Sequence, residues 1–136
     1  MMISRKELKA LKEFDGRDSL ALSVYLQLDT PEKKQNAYET FRRCIAPYLD
    51  GNGKESTLRD DLDLVKTYLE TNGGKDGNGL VIFSCANRLF WRAYKLPVPV
   101  PDRVGLGPAF DVQPLEEVLK EQERWLARLF RKRKVA

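Results

Sequence analysis

No histidine occurs among the 136 residues, which removes the commonest general base, the commonest metal ligand and the usual partner of a serine or cysteine nucleophile. Any chemistry must therefore come from carboxylates, lysines or two cysteines. Cys44 and Cys85 cannot supply a four-ligand zinc site, and two cysteines in a chain this long do not make a disulfide framework. Both are expected to be reduced core residues, Cys44 in a helix and Cys85 in a buried strand. Asp60, Asp61 and Asp63 with Glu70 form an acidic patch of the kind that holds a hard cation or an acid/base pair. Asp60 and Asp61 fall in the first turn of an expected helix, however, where the helix dipole favours negative charge by about 0.3–1 kcal/mol. That accounts for them without a site. Gly53-Lys54-Glu55 and Gly74-Lys75-Asp76 lack the Ser or Thr and the glycine spacing of a phosphate loop. No catalytic residue, metal or cofactor is assigned, and the expected protein is not an enzyme.

Basic residues carry a stronger signal. Arg124, Arg128, Arg131, Lys132, Arg133 and Lys134 supply six of the 24 lysines and arginines, leaving 18 against 20 acidic residues elsewhere. The net charge of +4 thus combines a slightly acidic body with a strongly basic stretch over 124–136. Spacings of four, three and one from Arg124 to Lys132 line much of this charge along one side of a helix, where guanidinium groups grip phosphates bidentately. Such a surface suits RNA, because each neutralised phosphate releases condensed counterions. Within the same stretch, Trp125 and Phe130 stand near the apolar stripe and are candidate contacts to a protein partner or a second copy.

The elements that must position these residues follow from periodicity. Ser4 and Glu7 have capping-box spacing ahead of Leu8, Leu11 and Phe14, which predicts a helix over 4–14 ended at Gly16. Leu20, Leu22, Val24, Leu26 and Leu28 alternate as a strand does. Thr30 and Pro31 open a helix with Ala37, Phe41 and Ile45 on its buried stripe. After Asp50-Gly51-Asn52-Gly53-Lys54, Ser56 or Thr57 caps another, bearing Leu58, Leu62, Val65 and Leu69. Leu80 to Cys85 predicts a central strand covered on both faces. A turn with Asn87 in the left-handed region leads to a second strand, Leu89 to Leu96. Prolines 97, 99 and 101 exclude a central strand, so Val104 to Leu106 belongs at an edge. Pro114 opens the last helix. The expected fold is α+β in one domain over 1–136: a small mixed sheet of three to four strands flanked by about four helices. No apolar run approaches the roughly 20 residues of a membrane helix, which predicts a soluble, cytoplasmic protein with no membrane partner.

Residues 79–119, GLVIFSCANRLFWRAYKLPVPVPDRVGLGPAFDVQPLEEVL, join two apolar strands to a Pro-Val-Pro-Val-Pro run, a Gly-rich connection and a helix. This stretch resembles the N-terminal domain of eukaryotic-type translation release factors, in particular their bacterial and archaeal relatives. The strand Leu20 to Leu28 and the two helices after it stand in that family's order. The resemblance implies a first domain that works beside a second bearing a Gly-Gly-Gln peptide-release tripeptide, and a third. No Gly-Gly-Gln occurs here, so peptidyl-tRNA hydrolysis is not expected of this chain. The loop that would carry the stop-codon motif Asn-Ile-Lys-Ser reads Asp50-Gly51-Asn52-Gly53-Lys54-Glu55-Ser56. A second decoding motif, Tyr-x-Cys-x-x-x-Phe, falls on Val104, Leu106 and Phe110. Only the Phe matches, and stop-codon reading is not carried over.

Two functions of different classes follow. One is a non-catalytic RNA- or ribosome-binding module that uses Arg124, Arg128, Arg131, Lys132, Arg133 and Lys134, with Lys54 as a secondary contact. The other is a protein-interaction or self-associating domain that uses Trp125 and Phe130. Phe90, Trp91 and Tyr94 would stack bases if exposed, but alternation places them on faces that helices cover, so core packing is expected.

Overall fold

A computed structural model describes residues 3–49, 54–73 and 77–135 of the chain. The order of elements is α1 (Arg5–Glu13), β1 (Ala21–Gln27), α2 (Pro31–Gln35), α3 (Ala37–Leu49), α4 (Lys54–Thr57), α5 (Arg59–Tyr68), β2 (Gly79–Cys85), β3 (Phe90–Leu96), β4 (Arg103–Gly107) and α6 (Gln113–Val135). The fold is α+β, as expected. The sheet runs β3-β2-β1-β4, and every pairing in it is antiparallel rather than mixed. The connections explain the difference. Between β1 and β2 the chain runs out along α3 and back along α5, and so enters β2 at the end where β1 finished, with the Leu28 N–H donating to the Asn78 carbonyl, whereas a single crossover helix would make neighbours parallel.

Both faces of the sheet are covered. On one, Ala21, Tyr25, Val81, Phe83, Tyr94 and Leu96 meet Leu8 and Leu11 of α1 and Leu115, Val118 and Leu119 of α6. On the other, Leu22, Val24, Leu26, Leu80, Ile82 and Val104 meet Ala37, Phe41 and Ile45 of α3 and Leu62 and Val65 of α5. β1 is therefore a central strand, and its alternation records two cores rather than one core and solvent. The short loop between β2 and β3 makes the expected hairpin. The prolines precede an edge strand, β4, paired to β1 from Ala21↔Gly107 to Tyr25↔Arg103.

Local chemistry departs from expectation at several points. Ser4 caps α1 by accepting from the Glu7 N–H at 3.0 Å, but the Glu7 carboxylate accepts from the Tyr94 hydroxyl at 2.9 Å instead of returning to the cap. Thr30 caps α2 as its sequence suggests, yet the helix breaks at Asn36 (φ −98°, ψ 14°) before α3 begins; asparagine competes for backbone hydrogen bonds and weakens a helix interior. Ser56 and Thr57 lie inside α4, and α5 starts behind Leu58 with no side-chain cap. Left-handed backbone falls on Leu89 (φ 53°) rather than Asn87, because Ala86–Arg88 coil into a short 3₁₀ turn that must be reversed before β3. Glu116 of α6 pairs with Lys12 of α1, and Glu39 with Arg42 along α3. Cys44 is half-buried and Cys85 buried, both as free thiols, and burial pushes each thiol pKa up.

Candidate nucleic-acid interface

α6 is fixed at its start by three contacts on Asp111. Its backbone N–H donates to the Ser23 hydroxyl at 2.8 Å, its carbonyl accepts from the Tyr25 hydroxyl at 2.6 Å, and its carboxylate pairs with Arg103 Nε at 2.8 Å. Burial, then the nearby Asp111 carboxylate, pushes the Tyr25 pKa up, so the phenol stays neutral and keeps donating. Leu115 is fully buried and Val118 and Leu119 pack on the α1 side of the core. These contacts set the direction of a helix whose second half has only two half-buried residues between 120 and 131, Gln122 and Leu126.

That exposed half has two faces. At 3.6 residues per turn, Arg124, Arg128 and Arg131 fall within an arc of about 60°. All three are exposed. Arg124 is held by Glu121, three residues back on the same face; no carboxylate among the described residues pairs with Arg128 or Arg131. Trp125, Leu126, Leu129 and Phe130 fall on the opposite side, continuing the stripe of Leu115 and Leu119 beyond the body. Trp125 and Phe130 remain 61% and 60% exposed. The structure thus groups three of the expected RNA-binding residues and separates them from the two aromatic contact candidates. The side chains of Lys54, Lys132, Arg133 and Lys134 lie outside the described residues, as do residues 50–53 of the hairpin loop and Gly74 and Lys75.

One contributor was not evident from sequence. A groove of about 260 Å³ runs between α1 and α6, where Ile3, Leu8, Leu119, Trp125 and Leu126 line it together with Arg5 and Glu123. Packing α1 beside α6 brings exposed Arg5 next to the projecting helix, over a separation of more than a hundred residues that no local pattern could report. A second groove, beside the proline run, carries Glu117 and Glu121 along with Arg103, a charge mixture poorly suited to phosphate.

The remaining candidates resolve into packing. Asp61 is 3% exposed and accepts from Ser84 Oγ at 2.5 Å and from the Ala86 N–H at 2.9 Å. Sequence placed it in an acidic surface patch; instead it ties α5 to the end of β2. Asp60 and Asp63 are exposed, and no group of three potential metal ligands occurs among the described residues. Trp91 packs edge-on against Tyr68 at 5.8 Å, and Phe90 joins Phe14 and Phe110. None of the three β3 aromatics presents a free stacking platform. No helix among the described residues is long and apolar enough to cross a membrane.

Neither the protein-family models nor the curated proteins contain a match to this chain. A solved structure described as an "Archaeal protein" is similar over 88% of this chain, with a TM-score of 0.60 and 19% identity. The chain spans 36% of that structure's length. At this identity the likeness defines a shared α+β fold.

Proposed function

We propose that this chain is a non-catalytic RNA-binding module, with the ribosome as the leading partner, related to the first domain of the eukaryotic-type release factors and acting without their peptide-release chemistry. The observation that carries the proposal is the exposed face of Arg124, Arg128 and Arg131 on the projecting half of α6. Guanidinium groups spaced along a rigid helix reach successive backbone phosphates, and Lys132, Arg133 and Lys134 extend the charge in sequence. Among the described residues no aromatic side chain shares the arginine face of α6, since Trp125 and Phe130 lie on its other side, and recognition on that face rests on the backbone with little base preference. The similarity of the fold to part of a longer archaeal chain is compatible with a module that serves beside other domains.

Co-sedimentation with ribosomes and with free RNA, at low and high salt, tests this. Binding at low salt that is lost at high salt and in the Arg124→Glu/Arg128→Glu/Arg131→Glu variant supports it. Absence of binding in every condition overturns it.

A further inference from the structure

We infer that β3 pairs with β3 of a second copy in antiparallel fashion, about a two-fold axis at Ala93, joining the two sheets into one. The inference goes beyond RNA binding and leaves the arginine face of α6 uninvolved.

The two edges of the sheet differ. β4 has five residues and follows three prolines, and its Val104 carbonyl accepts from the Tyr48 hydroxyl at 3.0 Å. That edge is blunted, as natural sheet edges commonly are. β3 has seven residues with neither proline nor glycine, and no strand among the described residues pairs with its outer side. The phase of the ladder identifies the groups left there. The Leu28 N–H donates to the Asn78 carbonyl, so even-numbered residues of β2 bond to β1 and odd-numbered ones to β3. Through Val81↔Tyr94 and Phe83↔Arg92, even-numbered residues of β3 bond inward, while Trp91 and Ala93 turn N–H and C=O out of the edge. The Trp91 carbonyl is covered by its exposed neighbour Arg92, whose guanidinium donates to it at 2.8 Å. Those of Ala93 meet no partner among the described residues.

Register and charge select a second copy as the occupant. A strand bonding this edge must set outward residues against outward residues, and β3 itself does so about Ala93. There Ala93 meets Ala93 in a pair that exchanges both hydrogen bonds, with Arg92 opposite Tyr94 and Trp91 opposite Lys95. No like charges stand opposite each other. A centre at Arg92 would oppose two guanidinium groups, and one at Tyr94 would run Trp91 against Pro97, which has no N–H. On the α1 side of the sheet the Tyr94 hydroxyl donates to the exposed Glu7 carboxylate at 2.9 Å. Arg92 of the other copy, directly opposite Tyr94 on that side, arrives at this carboxylate, and the two-fold axis makes the contact twice. Both outer edges of the joined sheet are then blunted β4 strands, so the assembly closes at two copies.

Sedimentation velocity of the full chain without RNA over a concentration series, with amide exchange followed by NMR on the same samples, tests the proposal. Wild type shifts from monomer to dimer, and exchange at the Ala93 N–H slows by about tenfold or more as the dimer forms. Ala93→Pro removes an N–H that no bond within the chain uses, so circular dichroism finds the monomer folded. Dimerisation of this variant weakens by about tenfold or more, because both central donors are gone. Arg92→Glu sets a carboxylate against Glu7 of the other copy and weakens dimerisation too, whereas Arg92→Glu/Glu7→Lys restores the attraction and recovers it. A chain that remains monomeric at every concentration overturns the proposal. So does a dimer indifferent to Ala93→Pro, or one whose Ala93 amide exchanges as fast as the monomer's. A monomer whose Ala93 amide is protected only with ribosomes overturns it by giving the edge to a strand of another protein. Failure of Arg92→Glu/Glu7→Lys to recover what Arg92→Glu loses overturns the register about Ala93.

Discussion

Replacing Asp61 with alanine should destabilise the fold by about 2–4 kcal/mol, because the buried Ser84 hydroxyl and the half-buried Ala86 N–H lose their carboxylate acceptor. The Ser84 hydroxyl at 2.5 Å and the Ala86 N–H at 2.9 Å both point at Asp61 Oδ1. Ser84 is fully buried and Asp61 nearly so, so water cannot readily replace the lost partner. A hydrogen bond to a charged group contributes about 1.5–3 kcal/mol, and an orphaned buried donor costs about 1–3 kcal/mol. Asp61→Asn keeps an acceptor oxygen and the side-chain shape, and should lose about 1–2 kcal/mol. Ser84→Ala removes one donor and leaves the Ala86 contact, with a similar cost. Because Asp61 and Ser84 share one bond, the double variant Asp61→Ala/Ser84→Ala should be more stable than the sum of the single losses implies. Urea unfolding followed by circular dichroism reads these differences. In a chain of this length about 4 kcal/mol also lowers Tm by roughly 10–15 °C. A loss below about 1 kcal/mol for Asp61→Ala, at unchanged m-value, would refute the view that this carboxylate is a structural tie between α5 and β2.

Gly79→Ala should cost about 1–3 kcal/mol by overpacking, since a Cβ at this position would stand 2.5 Å from the Val98 carbonyl oxygen where the proline run crosses the end of β2; a thermal shift of less than about 2 °C would show that the segment moves aside freely. Stability should fall as pH rises above about 10. Unfolded tyrosines lose their protons near pH 10, whereas burial, and then the hydrogen bond to Glu7, pushes Tyr94 up to about 12, and burial pushes Tyr25 up as well. Between those limits the folded chain binds more protons than the unfolded one, so the stabilisation is intact below pH 10 and is lost through the Tyr94 range. Urea midpoints measured at pH 9, 10 and 11 check this, and a midpoint that does not fall across that series would contradict the assignment.

Much of the architecture was legible because it rests on short-range pattern. Thr30-Pro31 and Ser4 make the caps their residue types favour, the apolar run Leu80–Phe83 opens a central strand that continues through Cys85, and the prolines at 97, 99 and 101 mark the approach to an edge. What escaped the sequence depends on distant packing. Glu7 has the spacing to close a capping box, but Tyr94, 87 residues away, supplies a buried hydroxyl that draws its carboxylate off. Asp61 resembles any first-turn acidic residue until β2 brings Ser84 against it. The two-core role of β1 was hidden because Ser23, polar in sequence, is buried with its hydroxyl accepting from the Asp111 N–H. On α6 the basic side was legible from the spacing of Arg124, Arg128 and Arg131. The groove beside Trp125 was not, since half of it comes from α1.

The salt dependence of RNA affinity tests the central claim most directly. Titration of a fluorescent single-stranded RNA with wild type and with Arg124→Glu/Arg128→Glu/Arg131→Glu, across a range of potassium chloride concentrations, gives the slope of log K against log salt. Each phosphate contact on a single strand contributes about −0.7 to that slope. Loss of three contacts therefore predicts a slope shallower by about 2, with weaker binding on every RNA sequence. An equal slope and affinity in the two proteins would contradict the assignment of RNA binding to the arginine face of α6.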